Sequence, residues 1–478
     1  MRKNKNALYK RFYKIIKNPY IIISSITVIF LCFFLVRIAT KNIQIPSVYS
    51  TVLFSISILF LVATYTVLKN KESKRILLWI FLISLTFEIL IFLAMPLNTS
   101  KWADARGYHN LAIYTSEKGP LYLIENYHRL VGWNSSFCPD AEQRLDNMIT
   151  NENLLAFVKD KMHVHDTIDL SGHNFTDYSA DRPGLHPPGW ILMLYPFVSL
   201  FGQSEIAAIL AEFILASILS AAVYWFLRNH VDFKTSLFLT FLFILSPAFI
   251  IYSDSPVMDI PLAIFIVLSV QLYLESMRTH KTKHLLLASI LFSIALFIKF
   301  ISIFFYLLFF LITIIRKGSM KNFAYFAMLS VVPILLLSLL NYYYFLNIIS
   351  SFVFASCAPD MVGVPSWLYF IIRFPKEILI LFSIPLLYMI TIGTLKILFR
   401  KKKGEKEKIM LTYVLCFFIT GFSIAMGMSR LLFMFSPLLI LLAINQVKKN
   451  FKPKFVYFSI IVSSIQLFVL LVLNILNL

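Results

Sequence analysis

Long apolar runs separated by short basic segments make up most of this chain, and one polar stretch interrupts them. The runs near residues 19–40, 50–68 and 76–96 are each long enough to cross a hydrocarbon core of about 30 Å at about 1.5 Å per residue. Similar runs continue to the C-terminal end, whereas residues 98–187 are polar. The pattern predicts a membrane protein with many helical spans and one large loop.

The composition agrees with this pattern. Hydrophobic residues make up 59% of the chain and mean hydropathy is +0.78, which is more apolar surface than a soluble core can bury. A transmembrane barrel would show short alternating segments instead of long apolar runs. We therefore predict an all-α polytopic bundle of roughly 11–14 transmembrane helices, with short surface helices in its large first extracytoplasmic loop.

The net charge of +20 comes from short clusters of Lys and Arg between the apolar runs. Such clusters mark cytoplasmic loops and do not form a nucleic-acid-binding face. They predict a cytoplasmic N-terminus, an uncleaved first anchor and an extracytoplasmic position for the long loop. Alternating the later spans then places Tyr252–Asp259, Lys299, residues 348–367 and Arg430 on the same outer side as the loop.

Two short apolar segments affect this topology. Residues 187–202 are too short for a full span, so we predict a half-helix or surface helix that does not change sides. Residues 285–298 and 301–315 are interpreted as two tilted short spans with Lys299 at their outer turn. The resulting count places the C-terminus outside.

Four segments follow from this organisation. Residues 1–97 form the basic N-terminus with the first three spans, and residues 98–187 form the loop with catalytic and acceptor-binding elements. Residues 188–347 form the core transmembrane module with a donor-lipid pocket. Residues 348–478 contain a second outer loop and the C-terminal helices.

The long loop has ionisable groups at both ends, where the chain meets the membrane. It holds 12 of the 24 acidic residues, opens with Trp102 to His109 and closes with Asp181 to Trp190. A single carboxylate such as Asp104 beside aromatic residues is often only interfacial. His186, however, precedes two prolines that restrict the local backbone and hold the imidazole in place.

Three further ionisable residues interrupt apolar sequence. Asp259 begins a span, and an ionisable group at membrane depth is costly and functional by default. Lys299 and Arg430 are either functional or extend to lipid headgroups. One interpretation of Asp254 is a solvated neighbour of Asp259, and the sequence gives Glu88 and Glu212 no role.

Outer carboxylates together with several cations suit the handling of a lipid-linked phosphate. The cations would neutralise a phosphate leaving group, and a carboxylate would take the proton from an attacking hydroxyl. No glycine-rich phosphate loop is visible in the sequence, so a nucleotide site is not expected.

Five patches of sequence resemble the glycosyltransferase-C superfamily, in particular the protein O-mannosyltransferases and the bacterial aminoarabinose transferase. They contain the Asp104 region, the His-Pro-Pro segment, Asp-x-Pro-Leu-x-x-Phe, a helix ending in Lys, and Arg-x-Leu-x with a later proline. Their bounds are Asp104–Leu111, Arg182–Trp190, Met258–Phe265, Ile294–Lys299 and Arg430–Pro437. The chain departs from the pattern at Ala105, where many relatives have a second acid, and at Leu431, where Tyr is usual.

The resemblance implies residue roles. Asp104 would be the catalytic general base, and Arg182, His186, Lys299 and Arg430 would bind the donor phosphate. Asp259, Tyr108 and Trp190 would line the pocket.

The implied reaction is an inverting sugar transfer from a polyprenyl-phosphate donor to a lipid, glycan or protein acceptor. It would occur at the extracytoplasmic face of a membrane, most naturally a prokaryotic plasma membrane. The resemblance implies no definite cofactor and leaves open whether a divalent cation is needed. Two alternatives stay open, which are a transporter or flippase of lipid-linked sugars and a polymerase or ligase.

Two other features of the outer segments have structural and functional interpretations. His163, His165 and Asp166, with His173 nearby, would either be solvated or bind a metal ion. Cys138 and Cys357 both fall outside by the predicted topology, where a disulfide is permitted. The remaining cysteines, Cys32 and Cys416, lie in spans and should be inert.

Overall fold

The computed structural model describes residues 47–68, 75–94, 103–121, 188–202, 204–340, 365–423, 428–444 and 453–475, with a few single positions between them. These ranges are helical, and they contain no β-strand. The predicted all-α class is therefore confirmed for the described part of the chain.

The helices are numbered here in chain order within the described ranges. In the N-terminal half they are α1 Ser47–Leu68, α2 Ile76–Ala94, α3 Ala103–Lys118, α4 Gly189–Phe201, α5 Glu205–Arg228, α6 Phe233–Ile244, α7 Pro247–Ser253 and α8 Asp259–Thr279. They continue with α9 Thr282–Ile298, α10 Phe305–Ile315, α11 Met320–Leu340, α12 Ser366–Leu381, α13 Ile384–Leu398, α14 Glu405–Ser423, α15 Met428–Phe433, α16 Ser436–Leu439 and α17 Pro453–Ile475. Short 3-10 segments occupy Phe300–Phe304 and Ile440–Ala443.

Three helices among the described residues are long and apolar enough to cross a membrane, namely α2, α5 and α8. Two bent pairs would raise the number to five, with bends of 59° between α6 and α7 and 118° between α12 and α13. The described residues also contain shorter apolar helices of 10–17 residues. The chain is thus an integral membrane protein by its apolar helices, and the total number of spans stays a prediction.

Helix boundaries follow from local chemistry. The side chain of Ser204 accepts a hydrogen bond from the backbone N–H of Ile206, and Asp232 accepts one from Thr235. Both residues cap the first turn of a helix, where backbone N–H groups have no intrahelical partner. Lys299 has extended backbone between α9 and the following 3-10 segment, so the predicted break between two short helices is confirmed.

The interior of the bundle is packed with aromatic side chains. Phe309 and Phe326 lie 4.4 Å apart between ring centroids, and Tyr273 packs against both. The Tyr273 hydroxyl is 2.6 Å from Thr313 Oγ1, which satisfies both polar groups inside the bundle. Helices in a bilayer associate through such packing and interhelical hydrogen bonds, because lipid tails are as apolar as the side chains. This packing joins α8, α10 and α11 into a scaffold for the site.

Candidate active site

Asp259 is the centre of a buried cluster of charged side chains. It is the first residue of α8 and is only 1% exposed. The partial positive charge of a helix N-terminus favours a carboxylate at this position. The turn from Asp254 to Met258 connects α7 to α8 and determines where this carboxylate lies.

Two cations from distant parts of the chain contact Asp259. Lys299 Nζ donates to Asp259 Oδ1 at 3.2 Å, and Arg430 Nε donates to Oδ2 at 2.9 Å. The two contacts span 40 and 171 residues of sequence. The three side chains together carry one more positive than negative charge. Since Lys299 is 4% exposed and the environment is apolar, electrostatic interactions here are stronger than in water.

Different elements hold the two cations in position. Lys299 follows the last residue of α9 and precedes a 3-10 turn, so the helix break itself directs its side chain. Arg430 lies on the short helix α15, which packs against α7, α8, α12 and α14. The sequence predicted both cations as site residues, and the structure brings them to one carboxylate.

The start of α4 lies beside this cluster. Gly189 packs so closely on the end of α9 that a Cβ atom would overlap the carbonyl oxygen of Phe297. Trp190 is fully buried, and its Nε1 donates to the carbonyl of Pro256 at 3.2 Å. Helix α4 therefore contacts both the helix that ends before Lys299 and the turn that precedes Asp259.

The helix that contains Asp104 joins the same assembly through α4. Helix α3 packs against α4, and Tyr108 on α3 is buried. The backbone of Asp104 lies in the first turn of α3. Its side chain is not among those that the structure describes. Burial lowers the pKa of the neighbouring His109 below its usual range, although Glu205 opposes this shift.

Several predicted site residues fall outside the described part of the chain. These are Arg182 and His186, the histidine group His163, His165 and His173 with Asp166, and the cysteines Cys138, Cys357 and Cys32. Cys416 is a free, buried thiol, as predicted. Among the described residues no group of three or more His, Cys, Asp or Glu side chains is arranged to hold a metal ion. A divalent cation stays a prediction.

The interpretation of Asp254 as a solvated neighbour is wrong. Asp254 is 1% exposed, because α7 and the turn after it are enclosed by the bundle. Glu88 and Glu212 are buried as well. Sequence reasoning gave these three carboxyl groups no role, although ionisable residues within apolar runs are themselves a signal of function.

Solved structures show distant likeness to this chain. The crystal structure of the Archaeoglobus fulgidus oligosaccharyltransferase in complex with Zn and sulfate is 15% identical, with a TM-score of 0.43 over 59% of this chain and 44% of that chain. The same protein tethered to an acceptor peptide containing the NVT sequon gives 13% identity, a TM-score of 0.41 and coverage of 59% and 47%. Its apo form gives 12% identity and a TM-score of 0.41, with coverage of 59% of this chain and 48% of that chain.

The match thus spans less than half the length of these solved structures. At such TM-scores the likeness assigns no role to any residue of the site. A comparison with curated proteins gave no match.

A family-level match covers residues 185–344, which is less than half of the chain. The matched family is described as dolichyl-phosphate-mannose-protein mannosyltransferase. The segment includes Trp190, Asp259 and Lys299, and three of the five sequence patches lie entirely or largely within it. The predicted resemblance to the O-mannosyltransferase group is therefore confirmed for residues 185–344.

Proposed function

We propose that the protein is a membrane glycosyltransferase that moves a sugar from a polyprenyl-phosphate donor to a hydroxyl or amine acceptor. The observation that carries this proposal is the buried contact of Asp259 with Lys299 and Arg430, next to Trp190. The similarity of residues 185–344 to a lipid-phosphate-sugar-dependent family supports the same reaction class.

The charged cluster suits the phosphate of the donor. Its excess positive charge balances the single negative charge of a sugar phosphodiester. When the bond to the sugar breaks, the lipid phosphate gains a second negative charge, and Lys299 and Arg430 stabilise it more than the ground state. Asp259 holds the two cations in position before the lipid arrives. We extend the phosphate site to Arg182 and His186 by the family resemblance.

Asp104 is the proposed general base. In the reaction an acceptor O–H loses its proton to the Asp104 carboxylate while the oxygen attacks the anomeric carbon. The bond from that carbon to the phosphate oxygen breaks, and its electron pair leaves with polyprenyl phosphate. Attack from the face opposite the leaving group inverts the anomeric centre. The packing of α3 on α4 supports this role because it ties the Asp104 helix to the helix beside the phosphate site.

The predicted topology puts this chemistry at the extracytoplasmic face. The basic clusters after α5 and after α8 are expected in the cytoplasm, which places the starts of these two helices on the other side. A lipid-linked donor enters such a site from the outer leaflet, and the acceptor arrives from the aqueous side.

The test is transfer by the purified protein supplied with a panel of polyprenyl-phosphate sugars and candidate acceptors. We expect one donor to be consumed with release of polyprenyl phosphate, and Asp104→Asn to abolish release with normal expression. Asp140→Asn, an equivalent change elsewhere in the loop, serves as the control. Full activity in Asp104→Asn would refute the base, and movement of an intact donor across vesicles without sugar release would indicate a flippase.

A further inference from the structure

Glu212 is a buried acid that the proposed reaction does not use. It lies in α5, is 0% exposed, and neither carboxyl oxygen has a hydrogen-bond partner among the described residues. A buried polar group without a partner costs free energy, and it needs an explanation where it occurs. An apolar side chain of similar size would cost less at this position.

The surroundings of Glu212 connect it to the charged cluster. Helix α5 packs against α7 and α8, the two helices joined by the turn before Asp259. The Glu212 carboxyl lies beside the backbone N–H of Val257 and interacts electrostatically with Asp259. That N–H also donates to the Ser255 carbonyl at 2.6 Å, which closes the turn. The Glu212 carboxyl therefore acts on the turn through its electrostatic interaction with this N–H.

Trp190 also contacts this turn, through the Pro256 carbonyl. The backbone that precedes Asp259 is therefore contacted from both α4 and α5. A displacement of this turn would move the carboxylate that organises Lys299 and Arg430.

A second buried acid, Glu88, interacts with Glu212 from the neighbouring helix α2. This interaction is electrostatic, and Glu88 interacts in the same way with Asp254. Ser84 donates to Glu88 Oε1 at 2.7 Å and lies 2.8 Å from the Ser220 hydroxyl on α5. These contacts join α2 to α5, the helix that contains Glu212.

We infer that Glu212 is a positioning residue, which fixes the Asp254–Met258 turn and thereby aligns the Asp259 cluster for the donor phosphate. This inference rests on the proposed function. It explains why a polar group occupies a site where an apolar one would be more stable, since stability and activity often conflict at functional sites.

Glu212→Leu and Glu212→Gln test the inference in detergent-purified protein. The leucine variant should raise the donor KM or lower kcat by about ten-fold, as expected for a small displacement of the reacting groups. Its melting temperature should equal or exceed that of the wild type, because the unpartnered acid is gone. The glutamine variant keeps the polar group and should restore most of the activity.

Gln271→Leu is the matched control. Gln271 is also buried on α8 with an unpartnered Oε1, but it lies 12 residues deeper than Asp259, or about 18 Å along the helix. It should leave the donor KM unchanged.

Two results would overturn the inference while the proposed function stands. One is wild-type kinetics in Glu212→Leu, and the other is a fall in melting temperature that parallels the loss of activity, which would mark a purely structural residue. If the wild-type protein neither transfers sugar nor binds polyprenyl phosphate, the proposed function fails and the inference fails with it.

Discussion

Replacing Asp259 by Asn is the most informative perturbation of the charged cluster. The change keeps the size and shape of the side chain and removes only its charge. Asn at this position leaves two buried cations without the carboxylate that both contact at 2.9–3.2 Å. We therefore expect a large loss of stability.

The size of this loss of stability follows from the distances between the charged groups. At about 4 Å between charge centres and an effective dielectric constant of about 20, each ion pair contributes roughly 4 kcal/mol of gross attraction. Desolvation offsets much of that attraction, but removal of one partner from a buried pair still costs about 3–5 kcal/mol. For a chain of this length, such a loss lowers the melting temperature by roughly 3–5 °C.

The assay is thermal unfolding of the detergent-purified variant, with Asp232→Asn as the control. Asp232 is an exposed helix N-cap, and Asn caps a helix as well as Asp does, so the control should change little. In Asp259→Asn with Lys299→Met the cluster regains the net charge of the wild type, so the double variant should recover part of the lost stability.

Polyprenyl phosphate gives a further test in the same assay. It should stabilise Asp259→Asn more than the wild type, because its phosphate supplies the missing negative charge. An unchanged melting temperature in Asp259→Asn would refute the electrostatic coupling. Equal stabilisation of both proteins by the lipid would refute phosphate binding at the cluster.

Other predictions concern packing, hydrogen bonding and pH. Gly189→Ala should cost about 1–3 kcal/mol by overpacking and should reduce transfer. In Gly404→Ala the new Cβ atom would meet only the Glu407 side chain at 3.9 Å, an ordinary contact, so this change should be tolerated in thermal unfolding and activity assays. Trp190→Phe removes the hydrogen bond to Pro256 and should cost about 1 kcal/mol, with a higher donor KM measured at unchanged expression. Burial lowers the pKa of His230 to about 4. Because this value lies below the unfolded pKa of about 6.5, stability is lost as pH falls from about 6.5 toward 4, by at most about 3 kcal/mol. Melting temperatures at pH 7.5 and 5 should differ less in His230→Gln, and an equal difference would contradict this assignment.

The sequence by itself determined the helical membrane class. A bilayer offers the backbone no external hydrogen bonds, so long apolar runs can only be helices. The sequence also identified Asp259, Lys299 and Arg430, because charged side chains within apolar sequence are costly wherever they occur. Gly189 and Trp190 were visible as part of a proline-rich segment, but their contacts were not.

Only the tertiary structure decided which groups meet. Asp254 and Asp259 look alike in sequence, since both lie in the polar turn before a span. Asp259 contacts two cations, whereas neither Asp254 oxygen has a hydrogen-bond partner among the described residues. The position of Glu212 beside the same turn was equally hidden in the sequence.

The physical reason is the range of the interactions. Helix formation and membrane insertion depend on neighbouring residues and on the mean polarity of a segment, which can be read locally. Contacts across 40 or 171 residues depend on how whole helices pack, and that packing follows from the shapes of many side chains together.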